Sequence, residues 1–152
     1  MIDLDITELF EEIVKELPEG LEILYPNGKG GTKVVKSPRL NYIFGSSQYI
    51  KDILDEYSKS SAQSERKFPL VALFTPISED RGDADYFSKA KVSLIIACSS
   101  CKEWSNEMRR ITSFKNILRP IYKRLLEVLY EDSRFDCDYD EKVKHSLSLI
   151  HI

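Results

Sequence analysis

Two cysteines separated by two serines, Cys98 and Cys101, form the motif with the clearest chemical potential. They follow the apolar run KVSLIIAC, which predicts a strand, and they precede a helical pattern. A C-x-x-C pair at such a junction is typical of dithiol redox sites, where a helix N-terminus lowers the pKa of the first thiol. A redox fold of this type also needs further strands and a proline-bearing loop after the motif, whereas here mostly helix follows. A redox role is therefore kept as an alternative only.

The same thiols could bind zinc together with Cys137 and His145. Structural zinc sites usually take their ligands as two closely spaced pairs. The spacing from Cys137 to His145 is wider than that of a usual second pair, and no cysteine lies near Cys137 in the sequence. We expect buried or incidental thiols, with no metal and no other cofactor.

Other segments that look like binding loops do not meet the requirements of their chemistry. NGKGGTK lacks the GxxxxGK-Ser/Thr order of a phosphate-binding loop and lies between two β-type runs. The alternating acids Asp136, Asp138 and Asp140 are followed by Glu141, where a calcium loop needs glycine. Neither histidine has a serine or cysteine partner in a recognisable nucleophile motif. The sequence therefore predicts a protein that is not an enzyme.

Charges of opposite sign gather on the first and the last predicted helix. The C-terminal helical pattern contains no acidic residue between Arg109 and Arg124, whereas the first helix is rich in glutamate. A solvated helix face often has such a composition, but surfaces of opposite sign also suit head-to-tail association into rings. The candidate interface residues are Glu8, Glu11, Glu12, Arg109, Arg119 and Lys123.

The composition fits one globular domain of the soluble, intracellular type. The 152 residues, 42% hydrophobic and 31% charged, are enough to bury a core. The net charge of −3 argues against bulk nucleic-acid binding, and we expect no sequence-specific nucleic-acid partner. No apolar run approaches the roughly 20 residues that a membrane-spanning helix needs. We expect a single domain over residues 1–146.

Apolar spacing predicts an α+β fold in which helices pack on an antiparallel sheet. The predicted elements are a helix over residues 6–17, a hairpin turning at Asn27-Gly28, a helix opening at Gly45-Ser46-Ser47, strands within residues 68–77 and 92–98, and a helix over residues 105–130. The loop between the two strands favours antiparallel pairing. Pro120 removes a backbone donor from the last helix, so we expect a kink near Pro120 or a break into two helices near Asn116.

The final string LSLIHI, residues 147–152, matches the codons CTG TCT CTT ATA CAC ATC, the end of a transposase adapter used in DNA library preparation. We therefore expect these residues to be adapter read-through and the natural chain to continue beyond Ser146. The alternative is a genuine short β-strand, since the string is a good strand former.

Residues 68–129 resemble a family of phage proteins. KFPLVALFTPISED, VSLIIACSS and SFKNILRPIYKRLLEVL are similar to small proteins encoded by phages of Bacteroides-type bacteria, which in turn resemble tail-terminator and neck proteins of long-tailed phages. The residues that carry the resemblance include Pro69, Pro76, Phe114, Pro120 and Tyr122.

The resemblance implies an α+β subunit that assembles into a ring, commonly a hexamer, which caps the tail tube and joins it to the head. The implied partners are further copies of the chain, tail-tube proteins and connector proteins. The implied location is the virion, after synthesis in the cytoplasm of the bacterial host, and no catalytic residues are carried over. The competing interpretations are a redox or zinc-binding protein that uses Cys98 and Cys101, and a monomeric binding module.

Overall fold

The computed structural model describes residues 5–27, 29–59, 66–80, 89–99 and 103–132. Helices and a β-hairpin cover a small sheet, which confirms the predicted α+β class. In chain order the elements are α1 (Ile6–Glu16), β1 (Glu22–Pro26), β2 (Thr32–Lys36), β3 (Asn41–Gly45), α2 (Ser47–Ser58), β4 (Leu70–Phe74), β5 (Ser78–Asp80), β6 (Lys89–Lys91), β7 (Leu94–Ala97), α3 (Asn106–Arg109), a π-helical segment (Arg110–Leu118) and α4 (Arg119–Glu131).

The main sheet has three strands in the order β3-β4-β7. β4 and β7 pair antiparallel, with Leu70 opposite Ala97, which confirms the predicted pairing. β3 was not predicted as a strand, and it pairs parallel with β4 because the α2 crossover returns the chain to the same end of the sheet. The sheet is therefore mixed, which corrects the expectation of antiparallel pairing throughout.

Two antiparallel ribbons accompany the main sheet. β1 and β2 form the predicted hairpin, with Pro26 opposite Thr32. The Asn27 side chain closes its loop, because Oδ1 accepts hydrogen bonds from the amides of Lys29 (2.8 Å) and Gly31 (3.1 Å). β5 and β6 form the second ribbon, which lies between β4 and β7 in the sequence.

The core is divided by β4 into two layers. On one face Val71 packs with α1, the hairpin and the C-terminal helix; on the other, Leu70 and Ala72 pack with α2. The first layer contains Ile13, Val14, Leu17, Leu21, Ile23, Val71, Ile117, Ile121, Leu125 and Val128. The smaller second layer contains Ile43, Ile50, Leu70 and Ala72.

The predicted C-terminal helix is continuous but not regular. α3 passes directly into the π-helical segment, and this segment ends where α4 begins, with Pro120 in its first turn. Proline cannot donate a backbone hydrogen bond, and its ring would clash with the carbonyl four residues earlier in a regular α-helix. The predicted break near Asn116 does not occur, since the helix continues there as a wider π-helical stretch on the N-terminal side of Pro120.

Several predictions fall on residues outside the described ranges. These are the adapter-like residues 147–152, the acids at 136–140, and Cys101, Cys137 and His145. Within the described ranges, no helix is long and apolar enough to cross a membrane.

Gly45 connects β3 to α2, and its replacement tests the packing of this junction. Its φ is +146°, and a Cβ atom would lie 2.6 Å from Cδ1 of Tyr49. We expect Gly45→Ala to lower the free energy of unfolding by about 2–4 kcal/mol, because backbone strain and overlap add together. Chemical denaturation measures this loss.

Gly30→Ala is the matched control. Gly30 also has a positive φ (+81°), but no other heavy atom lies within 4 Å of its Cβ position. The control should lose only about 1 kcal/mol, the cost of the backbone conformation. Equal losses in the two variants would contradict the close approach of Tyr49 to Gly45.

Candidate assembly surface

A groove of about 450 Å³ lies along the outer side of the C-terminal helix. Its walls come from consecutive turns of one helix, from the end of α3 through the π-helical segment to the start of α4. π-helical stretches occur frequently at functional sites. The lining residues are Glu107, Arg110, Ile111, Phe114, Lys115 and Arg119.

The groove combines positive charge with an apolar floor. Arg110, Lys115 and Arg119 supply three cations, and Arg110 forms an ion pair with Glu107. The guanidinium carbon of Arg119 lies 5.6 Å from the centre of the Phe114 ring, which is a cation–π distance. Such a surface fits an acidic partner that also offers apolar contact.

The basic residues follow one exposed line of the helix. Lys115, Arg119 and Lys123 recur every four residues, and each is exposed. The predicted interface residues Arg119 and Lys123 therefore do lie together. Arg109 does not share this line: it is half-buried and has contacts of its own. Arg110 and Lys115 belonged to the predicted basic run but were not selected as candidates.

The acidic candidates lie on α1. Glu8 and Glu12 are exposed, whereas Glu11 is half-buried and lies 3.6 Å from Lys15 in an ion pair along the same helix. Ion pairs of this spacing are common on exposed helices and bind weakly. α1 therefore presents an acidic surface that its own lysine neutralises only in part.

Tyr42 locates the acidic surface relative to the sheet. Its hydroxyl donates a hydrogen bond to the carbonyl oxygen of Thr7 (2.8 Å), which ties β3 to the start of α1. Burial raises the pKa of the Tyr42 phenol, and the negative charges of Glu11 and Asp5 raise it further. These carboxylates consequently lie beside β3, at one edge of the main sheet.

Cys98 locates the basic groove. This residue directly follows β7, and its thiol lies against the hydroxyl of Ser113 in the π-helical segment. β3 and β7 are the two outer strands of the main sheet as described. The acidic surface thus lies toward β3, whereas the buried side of the groove-bearing helix packs on β1 of the hairpin and meets the chain at Cys98, just after β7.

The environment of Cys98 is unlike that of a reactive thiol. Burial raises the pKa of Cys98, and the Ser113 hydroxyl offsets this only in part. Redox and nucleophilic cysteines instead have a lowered pKa. Ser113 is 7% exposed, and apart from this weak sulfur contact its hydroxyl has no hydrogen-bond partner among the described residues. Burial of Tyr25 raises the pKa of its own phenol, and the negative charge of Cys98 in its ionised form raises it further.

Comparisons with protein-family models, curated proteins and solved structures find no match for this chain. In the part of the chain that the structure describes, no three His, Cys, Asp or Glu side chains converge to hold a metal ion. The functional interpretation therefore depends on the surfaces described above.

Tyr42→Phe tests the position of the acidic surface. The unfolded chain releases a tyrosine proton near pH 10, and the folded chain holds it to higher pH. Stability from this group is thus complete below pH ~10 and is lost as the pH rises further. We expect Tyr42→Phe to lower the free energy of unfolding by about 1 kcal/mol at neutral pH, because the hydrogen bond to Thr7 is lost. Above pH ~10 the free energy of unfolding of the variant should fall less steeply than that of the wild type.

Urea denaturation over a series of pH values measures both effects. Tyr49→Phe is the control, because this tyrosine is 52% exposed on α2. If the stabilities of Tyr42→Phe and the wild type declined in parallel above pH ~10, the raised pKa of Tyr42, whose largest cause is burial, would be refuted.

Replacing Cys98 and Cys101 together with serine tests the redox and zinc interpretations. We expect folding and assembly to persist, since serine at position 98 can hydrogen-bond to Ser113 and no thiol chemistry is required. Thermal denaturation and zinc analysis of the purified protein measure this. Stoichiometric zinc, or disulfide-exchange activity that disappears in the double variant, would contradict the expectation.

Proposed function

We propose that the protein is a structural subunit of a bacteriophage virion, a tail terminator or neck protein that joins head to tail by assembling into a ring. The observation that carries the proposal is the separation of charge between two surfaces: carboxylates of α1 lie beside β3, and the basic groove lies on the helix whose Ser113 contacts Cys98, just after β7. A ring built from identical subunits needs two different surfaces that fit each other. The acidic surface of α1 and the basic groove are the pair that we propose.

The two surfaces differ in what they contribute to association. Exposed ion pairs each stabilise by only about 0–1 kcal/mol, but complementary fields orient the subunits and speed their encounter. The apolar floor at Ile111 and Phe114 adds area that burial would remove from water. Association should therefore be sensitive to both salt and concentration.

The assignment to a phage draws on the resemblance over residues 68–129. That stretch includes β4, β7 and the helix that carries the groove. Pro69 and Pro76 lie on either side of β4. Phe114 lies in the π-helical segment, and Pro120 lies in the first turn of α4. The residues that carry the resemblance thus lie beside β4 and along the groove-bearing helix, and Phe114 lines the groove itself. Tail-tube and connector proteins are the proposed partners.

A redox or zinc-binding function has less support. Cys98 is partly buried, with a raised pKa that keeps the thiol protonated at neutral pH. Its three proposed companions, Cys101, Cys137 and His145, lie outside the described residues. We propose no catalytic role.

Reversing the charge of Arg119 and Lys123 to glutamate tests the ring. We expect the double variant to remain folded but to lose assembly, because two like-charged surfaces would then face each other. Wild-type rings should weaken as salt is added, since exposed charges are screened beyond about 10 Å at 0.1 M. Sedimentation velocity, with and without phage tail-tube protein, measures the assembly state.

Two controls make the result specific. The double variant Lys29→Glu, Lys33→Glu makes the same change in net charge, but on the exposed hairpin, and it should leave assembly intact. Adding Glu8→Lys and Glu12→Lys to the Arg119 and Lys123 reversal should restore it. A wild-type monomer at high concentration and low salt, indifferent to the reversals and to tail-tube protein, would refute the proposed function.

A further inference from the structure

We propose that successive subunits join edge to edge, so that β7 of one copy adds to β3 of the next and a single sheet crosses the subunit boundary. The inference rests on the proposed function and names the contact that holds the ring together. Four observations carry it: the direction of the edge backbone groups, the parity of the side chains, the exposed apolar residues, and the position of the charges.

Among the described residues, no strand pairs with the outer side of β3. The amide of Asn41 donates to the carbonyl of Pro69, and the amide of Thr75 donates to that of Gly45 (both 2.9 Å). In a parallel ladder this pattern turns the backbone groups of residues 41, 43 and 45 toward β4. The amides and carbonyls of Tyr42 and Phe44 therefore point away from β4.

The outer side of β7 offers a matching set. The amide of Phe74 donates to the carbonyl of Ser93 at 3.0 Å. In an antiparallel ladder, residues 93, 95 and 97 then bond toward β4, and alternate residues point the other way. The backbone groups of Leu94 and Ile96 consequently face outward.

The two edges can pair with each other because their side chains alternate between the faces of the sheet in matching order. In the pairing of β3 with β4, Tyr42 lies opposite Val71. In the pairing of β7 with β4, Leu94 lies opposite Leu73, whose side chain is on the same face as that of Val71. The residues whose backbone groups point outward therefore place their side chains on the same face at both edges. Directly opposed residues in a sheet must share a face. Antiparallel pairing of β3 with the next copy's β7 thus keeps the helical layers of both subunits on one side.

The two edge strands themselves contain none of the residue types that commonly prevent such pairing. Edge strands are commonly protected by charged residues, prolines or bulges. The sequences NYIFG and LIIA contain none of these, and each exposes one large apolar side chain: Phe44 is 45% exposed and Ile95 is 46% exposed. An unprotected apolar edge is a site at which another strand adds.

The joined sheet would cover both exposed residues. Ile95 lies on the α2 face, since it pairs with Ala72 of the α2 layer. In the joined sheet it would stand beside Ile43 and α2 of the next copy. Phe44, on the opposite face, would meet Leu94 and Ile96 of that copy. One contact therefore buries two apolar groups that each subunit alone leaves in water.

The same contact brings opposite charges together. Glu11 and Asp5 lie beside Tyr42 of β3, on the face that the C-terminal helix also covers. The groove-bearing π-helical segment lies against Cys98, just after β7, on that face. Pairing β3 with the next copy's β7 places the acidic surface of one subunit next to the basic segment of its neighbour. Charge complementarity thus identifies a second copy as the occupant of each edge.

Blocking one edge at a time tests the proposal. Phe44→Lys disables the β3 edge and Ile95→Lys the β7 edge; since both side chains are nearly half exposed, both variants should fold. We expect each variant alone to be monomeric and an equal mixture to form a one-to-one heterodimer, because each supplies the edge that the other lacks. Native mass spectrometry measures the stoichiometry, and circular dichroism checks folding.

Hydrogen exchange adds a second measurement. The amides of Leu94 and Ile96 should exchange freely in the monomeric Phe44→Lys variant and become protected in the heterodimer. Val34→Lys is the control, since Val34 is exposed on β2 and should leave assembly unchanged. Protection of the two amides in the monomer would mean that another segment of the same chain covers the edge, and would overturn the proposal.

The outcomes separate this contact from the proposed function. If the wild type forms rings and either lysine variant still assembles alone, or if the mixture stays monomeric, the edge contact is wrong and the ring remains. A wild type that stays monomeric at all concentrations, also with tail-tube protein, overturns both. If the mixture forms heterodimers but the wild type does not bind tail-tube protein, the edge contact is supported and the phage role is overturned.

Discussion

The burial of β4 on both faces is the constraint on which the rest of this structure depends. Leu70, Val71, Ala72 and Leu73 are all at most 3% exposed. A strand without a solvent face needs a packed layer on each side, and it has to lie between two others. β3 and β7 are thereby fixed as neighbours of β4, and the helices divide between the two faces.

This division is unequal, and the inequality leaves apolar surface uncovered. α1, the hairpin and the C-terminal helix share one face, whereas α2 alone packs on the other. A helix is about 10 Å across and strands lie about 4.8 Å apart, so one helix covers roughly two strands. α2 lies over β3 and β4, and Ile95 on β7 is left half in water. Ile95 is thus exposed because only one helix packs on that face of the sheet.

The sequence predicted the elements that local patterns specify. α1, α2 and the β1–β2 hairpin have clear periodicity or turn residues, and the runs within residues 68–77 and 92–98 are apolar enough to be recognised as strands. β3 was missed because NYIFG is short, begins with a polar residue and ends in glycine. Its parallel pairing depends on the α2 crossover, a tertiary feature that no local pattern contains.

The candidate surface was predicted in part for the same reason. Arg119 and Lys123 were selected because charge is visible in sequence, and both lie on the exposed line of the helix. The half-burial of Arg109 and the apolar floor at Phe114 depend on how the helix winds, and a π-helical stretch shifts each residue relative to an α-helix. The sequence marked an irregularity at Pro120 but could not specify its form.

Cys98 shows why packing, more than motif, decides the chemistry of this chain. The C-x-x-C spacing suggests a reactive thiol, but burial beside Ser113 raises the pKa of Cys98 and favours the neutral form. The exposed features lie elsewhere: open strand edges, a basic groove and an acidic helix. The acidic residues lie beside β3, and the basic helix contacts the residue that follows β7. Under the proposed function, these surfaces of opposite sign suit head-to-tail addition of identical subunits.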